Sequence, residues 1–475
     1  MPFAERGIIN MEYISVGFYF FVGILLLFYY VIPIKMRWIV LLLGSVAFYW
    51  KICDIGIFLL IYLALVSYGF GFVLHRNNTK KILLLIGVGI IVLPLVLCKY
   101  FESISMIRTV GVSFYTLQMV SYLIDIYRKK IQPEKNFLKY FLFVSFFPQI
   151  IQGPIPRYEQ LKEQLYIGHR FHEKFFTKGL HLIIWGFFLK LMIADKTAII
   201  VNIVFDNANY SGIYIWIAGI LYSVQLYTDF LACVCLSQGV ASLFGVQLVD
   251  NFAHPYFSRS IKEFWKRWHI SLSSWLRDYV YIVLGGSRQG KIRKYINLII
   301  TFVVSGIWHG KGMKFILWGI MHAVYQIVGD ITAGIKDVIY RKIRMNQDNR
   351  IRRMIQTAGT CFWVMIAWIM FRANSMRDGL RMIFSMFDFR NMNRIMDGAL
   401  MHLGLSWQEW IILAGSIGIL VSVSIMQERI CVRDRILDFA LPIRWSIYIV
   451  AILVIMVFGS YGLGFNAQEF IYGGF

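Results

Sequence analysis

Tyr295-Ile-Asn-Leu-Ile-Ile-Thr-Phe-Val-Val-Ser-Gly-Ile-Trp-His-Gly310 is followed, after Lys311-Gly-Met-Lys314, by Phe315-Ile-Leu-Trp-Gly-Ile-Met-His-Ala-Val-Tyr-Gln-Ile-Val328. The stretch reads as an apolar hairpin with Trp308-His309-Gly310 inside it. An imidazole at such depth is shielded from bulk water, and burial disfavours the protonated form of any imidazole. A neutral ring with one free nitrogen is what a general base needs near pH 7. On the hairpin alone, a packing histidine bonded to a carbonyl between two helices is the plainer reading. The rest of the chain changes that weighting.

Of 475 residues, 58% are hydrophobic, 17% aromatic and only 16% charged. Soluble domains carry about a quarter charged residues, so the composition predicts a polytopic membrane protein. Apolar runs recur from Ile14–Ile32 to Trp445–Tyr461. A bilayer-crossing helix needs roughly 20 apolar residues, which predicts about ten to twelve spans, with some shorter re-entrant pieces. No segment is polar and long enough for a separate soluble domain, so residues 1–475 are expected to form one integral domain. The first apolar run follows Met1–Asn10, with no clear small-residue cleavage site, and is read as an uncleaved span.

The net charge of +22 comes from 48 Lys and Arg against 26 Asp and Glu. The basic residues gather in the loops Arg76–Lys81, Arg128–Lys135, Arg288–Lys294 and Arg341–Arg353. That pattern is the positive-inside signature facing an anionic leaflet, not a nucleic-acid footprint. If the basic loops on both sides of Phe137–Ile151 are cytoplasmic, this run enters and returns, with Pro148, Gly153, Pro154 and Pro156 as its breaks. Irregular backbone at membrane depth must be enclosed by protein or line a cavity. The six cysteines lie mostly in apolar runs and read as small buried hydrophobes. Their spacing, Cys233-Val-Cys235 included, fits no metal pattern. Arg341–Arg353 reads as a basic connector, and Met376–Asp397 as a surface amphipathic segment.

A second histidine lies in Arg259-Ser-Ile-Lys-Glu-Phe-Trp-Lys-Arg-Trp-His-Ile-Ser-Leu-Ser-Ser-Trp-Leu-Arg-Asp278. Ile261, Phe264, Trp265, Trp268, Leu272, Trp275 and Leu276 recur at helical spacing, which predicts an interfacial amphipathic helix with its tryptophans in the headgroup belt. His269 falls beside the aromatic stripe rather than among the charges. Asp229 lies inside the apolar run Ile213–Phe244, where a carboxylate is costly and is either functional or paired. Lys190, Asp195 and Lys196 close a span and are expected to snorkel. These residues by themselves leave two classes open: an acid/base enzyme of the membrane, or a transporter or lipid flippase with a His/Asp proton relay. No internal repeat of the kind common in transporters is visible.

Further stretches carry a resemblance. They include Val110-Gly-Val-Ser-Phe-Tyr-Thr-Leu-Gln118, Ser121-Tyr-Leu-Ile-Asp125, Phe143-Val-Ser-Phe-Phe-Pro148, Gln152-Gly-Pro-Ile-Pro-Arg157 and Asn251-Phe252. Glu263–Leu272, Trp275-Leu-Arg-Asp-Tyr279, Leu284-Gly-Gly286, Ser305–Gly310, Trp318–His322, Phe371-Arg-Ala373 and Phe470-Ile-Tyr472 continue the series. Together they resemble the membrane-bound O-acyltransferase family over nearly the whole chain, in its bacterial branch of alginate O-acetylation and teichoic-acid D-alanylation. The resemblance implies a ring of tilted helices around a central funnel in the bacterial plasma membrane. It implies His309 at the funnel base as the catalytic residue, with His269 second. Asp229, Trp308, Trp268, Ser305, His322, Arg277 and Asp278 become candidates for lining the substrate path. The family pattern implies no bound cofactor or metal. It implies an acetyl-CoA or carrier-protein phosphopantetheine thioester as the cytoplasmic acyl donor, and outward delivery to a polymer or to an extracellular hydrolase-like (SGNH) partner. Membrane lipids are the remaining expected partners. One departure is that Asp229-Phe-Leu-Ala-Cys-Val234 stands where many relatives have Asp-Phe-Ser-Gly-Tyr-Ser.

Overall fold

Small polar residues start the helices. Ser15 accepts a hydrogen bond from the Phe18 amide, Asn136 from Lys139, Ser260 from Glu263, and Asn349 from Ile351 and Arg352. Ser406 and Glu409 form a reciprocal capping box. Each such cap satisfies amides that a helix start leaves open. The computed structural model describes residues 13–76, 81–100, 110–388, 390, 398–461 and 470. The lead Met1–Asn10, the centre of the 76–81 loop, most of 389–397 and Ile471-Tyr472 lie outside the described residues. No strand occurs among the described residues.

The chain forms two compact units, one from Met1–Phe187 with Ala232–Val249, the other from Phe188–Leu231 with Asp250–Ile471. The first holds α1 (Val16–Val31), α2 (Arg37–Cys53), α3 (Gly56–Arg76), α4 (Lys81–Tyr100), α5 (Val112–Tyr127), α6 (Phe137–Ser145), α7 (Tyr158–Ile167) and α8 (Glu173–Phe187). At nine residues, α6 is about 14 Å long and cannot cross a hydrocarbon core of ~30 Å. Its residues from Tyr140 to Ser145 are buried, and the irregular backbone after it is satisfied by side chains. Tyr13 donates to the carbonyls of Phe147 and Pro148, each at 3.0 Å. Ser237 also donates to Pro148, and Ser45 accepts from the Phe147 amide at 3.1 Å.

The second unit opens with a π-helical stretch, Phe188–Ala194, running into α9 (Asp195–Phe205). The long helix α10 (Ile213–Leu243) follows, contributing its residues up to Leu231 to this unit. Next come α11 (Ile261–Arg267), α12 (Ile270–Leu276), α13 (Gly290–His309), α14 (Met313–Ile331), α15 (Ala333–Lys342), α16 (Arg350–Arg372) and α17 (Met376–Ser385). The series ends with α18 (Trp407–Gln427), α19 (Val432–Leu437) and α20 (Leu441–Phe458). In α17, Met376, Leu380 and Phe384 are exposed along one face, as expected of an amphipathic surface segment. Cys53, Cys233 and Cys235 are buried, whereas Cys431 is exposed at the start of α19.

Among the described residues seven helices are long and apolar enough to cross a membrane, or eight if the bent pair α14 and α15 is one span. That is fewer than the ten to twelve expected from the apolar runs. Val16–Val31 and Val112–Tyr127 stop at 16 residues, and α8 gives way to the π-helical stretch after 15. The first two helices fill apolar runs that are themselves at or below spanning length, and the third run is interrupted by the π-helical stretch.

The hairpin of the opening stretch is α13 and α14. A β-carbon on Gly306 would lie 2.3 Å from the Phe315 carbonyl oxygen, and one on Gly319 2.3 Å from that of Phe302. Only glycine permits that backbone-to-backbone contact. At the far end Lys294 pairs with Asp330 at 2.6 Å, and near the tip Lys314 donates to the Ala373 carbonyl at 2.6 Å.

Candidate active site

His309 is the last residue of α13 and is 2% exposed. Three rings stand edge-on to its imidazole: Trp308 at 4.8 Å, Trp318 at 5.0 Å and Phe371 at 5.4 Å between centroids. These come from the hairpin and from the end of α16. The C-terminus of a helix carries about half a negative charge, so an imidazolium formed there is stabilised by the backbone itself.

His269 does not lie within one amphipathic helix. It adopts a left-handed backbone, φ 44°, and breaks the predicted helix into α11 and α12. Asn251 holds the break: its carbonyl accepts from the Ile270 amide at 2.9 Å and its side chain from the Ser271 amide at 3.1 Å. The break turns the stripe inward, so Trp268 and Trp275 are buried instead of facing headgroups. His269 is 1% exposed and packs edge-on against Phe230 at 4.7 Å. Trp308 lies 6.2 Å from it and 4.8 Å from His309, so one indole neighbours both imidazoles.

His322, on α14, extends the cluster. Trp265 donates its indole N–H to His322 Nδ1 at 3.2 Å, which leaves the proton of the neutral ring on Nε2. Trp318 lies 5.1 Å from His322 and stacks at 5.9 Å on Trp368, which in turn packs 5.1 Å from Trp268. Ser305 is fully buried one helical turn before His309. Among the described residues, Ser305 Oγ, Trp318 Nε1 and His322 Nε2 have no hydrogen-bond partner. A buried orphan of this kind costs about 1–3 kcal/mol.

Asp229 is 3% exposed and faces a lysine: Lys190 Nζ lies 2.7 Å from Asp229 and 3.0 Å from Asp195, and 4.6 Å over the Phe470 ring. The snorkelling expected of Lys190, Asp195 and Lys196 is therefore corrected, since all three are buried. The π-helical stretch turns Lys190 inward toward Asp229. The neighbouring residue, Phe230, touches His269, so the ion cluster is one residue away from the candidate site. Arg277 and Asp278 pair with each other at 2.8 Å in the π-helical segment Arg277–Tyr281, where the arginine side chain is 63% exposed. Among the described residues no three His, Cys, Asp or Glu side chains are placed to ligate a metal ion.

Sequence reasoning brought forward His309, His269, Trp308, Ser305 and His322, and the second unit gathers them through one aromatic cluster. It did not single out Trp318, Trp265, Asn251 or Phe371 for a role, although all lie in the quoted motifs. Their spacing carries no signal until the break at His269 is known.

Comparison with known proteins bears on this arrangement. The pattern of the membrane-bound O-acyltransferase family (MBOAT) matches residues 131–376, which include both histidines. The chain is 32% identical over 387 residues to the probable alginate O-acetylase AlgI of Pseudomonas fluorescens, covering 79% of this chain and 75% of that protein. It is 32% identical over 348 residues to the peptidoglycan O-acetyltransferase of Helicobacter pylori, covering 64% of each. With the teichoic acid D-alanyltransferase of Bacillus subtilis it shares 28% identity over 278 residues, 54% of this chain and 70% of that protein. A multi-pass helical protein of the bacterial cell membrane, with these relatives and this matched segment, belongs to the membrane-bound O-acyltransferase family.

Proposed function

We propose that this O-acyltransferase takes an acyl group from a thioester on the cytoplasmic side and delivers it to a hydroxyl of an extracellular polymer, directly or through an extracellular hydrolase-like partner. The observation that carries the reading is the buried His309 imidazole at a helix C-terminus, enclosed by three aromatic rings. His309 takes the proton of the acceptor hydroxyl as its oxygen attacks the acyl carbonyl. A C–O bond forms, the C–S bond breaks, and the departing thiolate recovers the proton from the imidazolium. Enclosure by rings excludes water and holds the two reactants together. The relatives named for acetyl transfer match more of the chain, at higher identity, than those named for D-alanyl transfer, and this favours acetyl as the group carried.

The direct test is turnover of radiolabelled acetyl-CoA by the purified chain in liposomes with a soluble hydroxyl acceptor. Acyl ester formation supports the reading. Flux of a substrate across the membrane without thioester consumption would replace it with a transporter.

His269→Ala should reduce transfer less than His309→Ala, by up to about 10²-fold, the scale set by a misplaced reactant. Trp308 packs against both imidazoles, and in this reading His269 orients the reactants while His309 moves the proton. An equal or larger loss in parallel assays would reverse the two roles.

Donor side and orientation are tested together. Single cysteines at 76–81, 288–294 and 341–353, in a cysteine-free background, should resist an impermeant maleimide in intact cells and react after lysis. Lys and Arg excess in short loops sets this expectation. Labelling of intact cells at two of the three loops would overturn the cytoplasmic donor side.

A further inference from the structure

Trp318 occupies the middle of the aromatic cluster. Around its ring stand His309 at 5.0 Å, His322 at 5.1 Å, Phe371 at 5.3 Å, Trp265 at 5.8 Å and Trp368 at 5.9 Å. The ring is fully buried, yet its N–H has no acceptor among the described residues. A buried tryptophan ordinarily finds a partner for that group, and native proteins keep few such orphans. The Ser305 hydroxyl is also buried without a partner among the described residues, although a serine within a helix has carbonyls one turn back to bond. Ser305 and His309 are four residues apart on one helix, hence on one face, and the Trp318 ring touches the imidazole. Two residues with unused donors therefore neighbour His309, one through its ring and one a helical turn away on the same face.

We propose that the Trp318 indole N–H, assisted by the Ser305 hydroxyl, holds the carbonyl oxygen of the acyl group at His309 and stabilises it when it becomes negative. The inference rests on the acyl-transfer reading. When the acceptor oxygen attacks, its proton passes to His309 and the carbonyl π-pair moves onto the carbonyl oxygen. That oxygen accepts from Trp318 Nε1. When the pair returns, the C–S bond breaks and the thiolate takes the proton back, so thioester and alcohol give ester and thiol. Donors fixed in a dry, low-dielectric site act strongly on developing charge and need no reorganisation as it forms. The orphans are then explained as groups whose partner arrives with the substrate.

The experiment replaces Trp318 with benzothienylalanine, which keeps the fused rings and exchanges the N–H for sulfur. Trp318→Phe and Ser305→Ala accompany it, with His309→Ala as the reference. The expected result is a fall in kcat of ~10²–10³ for the benzothienyl protein, the range for loss of one oxyanion donor. KM should stay within about twofold, because the donor acts mainly in the transition state. Its melting temperature should equal or exceed that of the wild type, since no buried donor is left unpaired, and Ser305→Ala should show a smaller fall in kcat. A benzothienyl protein with kcat within about threefold of wild type, beside an inactive His309→Ala, overturns the donor role and leaves the acyl-transfer reading standing. A fully active His309→Ala overturns both.

Discussion

His309→Ala should lower acyl transfer by ~10²–10⁴-fold, the range for loss of a general base, while the protein still folds and inserts. The imidazole is enclosed by Trp308, Trp318 and Phe371, so its removal leaves a small void between large rings. His309→Gln fills most of that volume with a side chain that cannot accept the proton, and it should be as inactive as His309→Ala. Turnover of a radiolabelled thioester, read beside thermal unfolding in detergent, separates chemistry from stability. A well-folded His309→Ala protein that keeps most of its activity would remove His309 from the mechanism.

Lys190→Met should be the most destabilising single change outside the aromatic cluster. The lysine side chain is 1% exposed and lies between Asp229 and Asp195, which are 4% and 1% exposed. Its removal leaves two buried carboxylates that lose the ammonium between them. Breaking a buried ion pair from one side typically costs about 3–5 kcal/mol, whereas replacing all its members with neutral groups is often nearly neutral. The triple variant Lys190→Met, Asp195→Asn, Asp229→Asn should therefore recover most of the melting temperature lost in the single variant. If Lys190→Met melts with the wild type, the ion cluster is not a structural element of this unit. If the triple variant is no better than the single one, the loss arises from packing around Phe470 rather than from charge.

Membrane class and helical architecture were legible in the sequence because composition and the length of apolar runs act over many residues at once. The hairpin was legible for the same reason, and His309 with it. Helix breaks were not. Residues 259–278 have a continuous helical stripe, and the break comes from a left-handed residue held by Asn251, eighteen positions away. Lys190 read as a snorkelling end because a π-helical turn, invisible in the pattern of apolar residues, rotates it toward Asp229. Asp229 itself was legible as paired or functional, and its partner was not. Trp318 stood in a quoted motif but carried no assigned role, because an unpaired N–H is a property of packing and not of spacing.

The two glycines of the hairpin bear on how this site can vary. At Gly306 and Gly319 the helices meet main chain to main chain, with no side chain between them to resize. The separation of His309 and Trp318 is then set by peptide geometry, as the gap of a calliper is set by its frame. On the proposed reading, larger or smaller acyl groups and acceptors have to be accommodated away from the hairpin, at Phe230 and Phe371. Substrate range should shift with substitutions there, while the hairpin keeps the same spacing for every substrate the site admits.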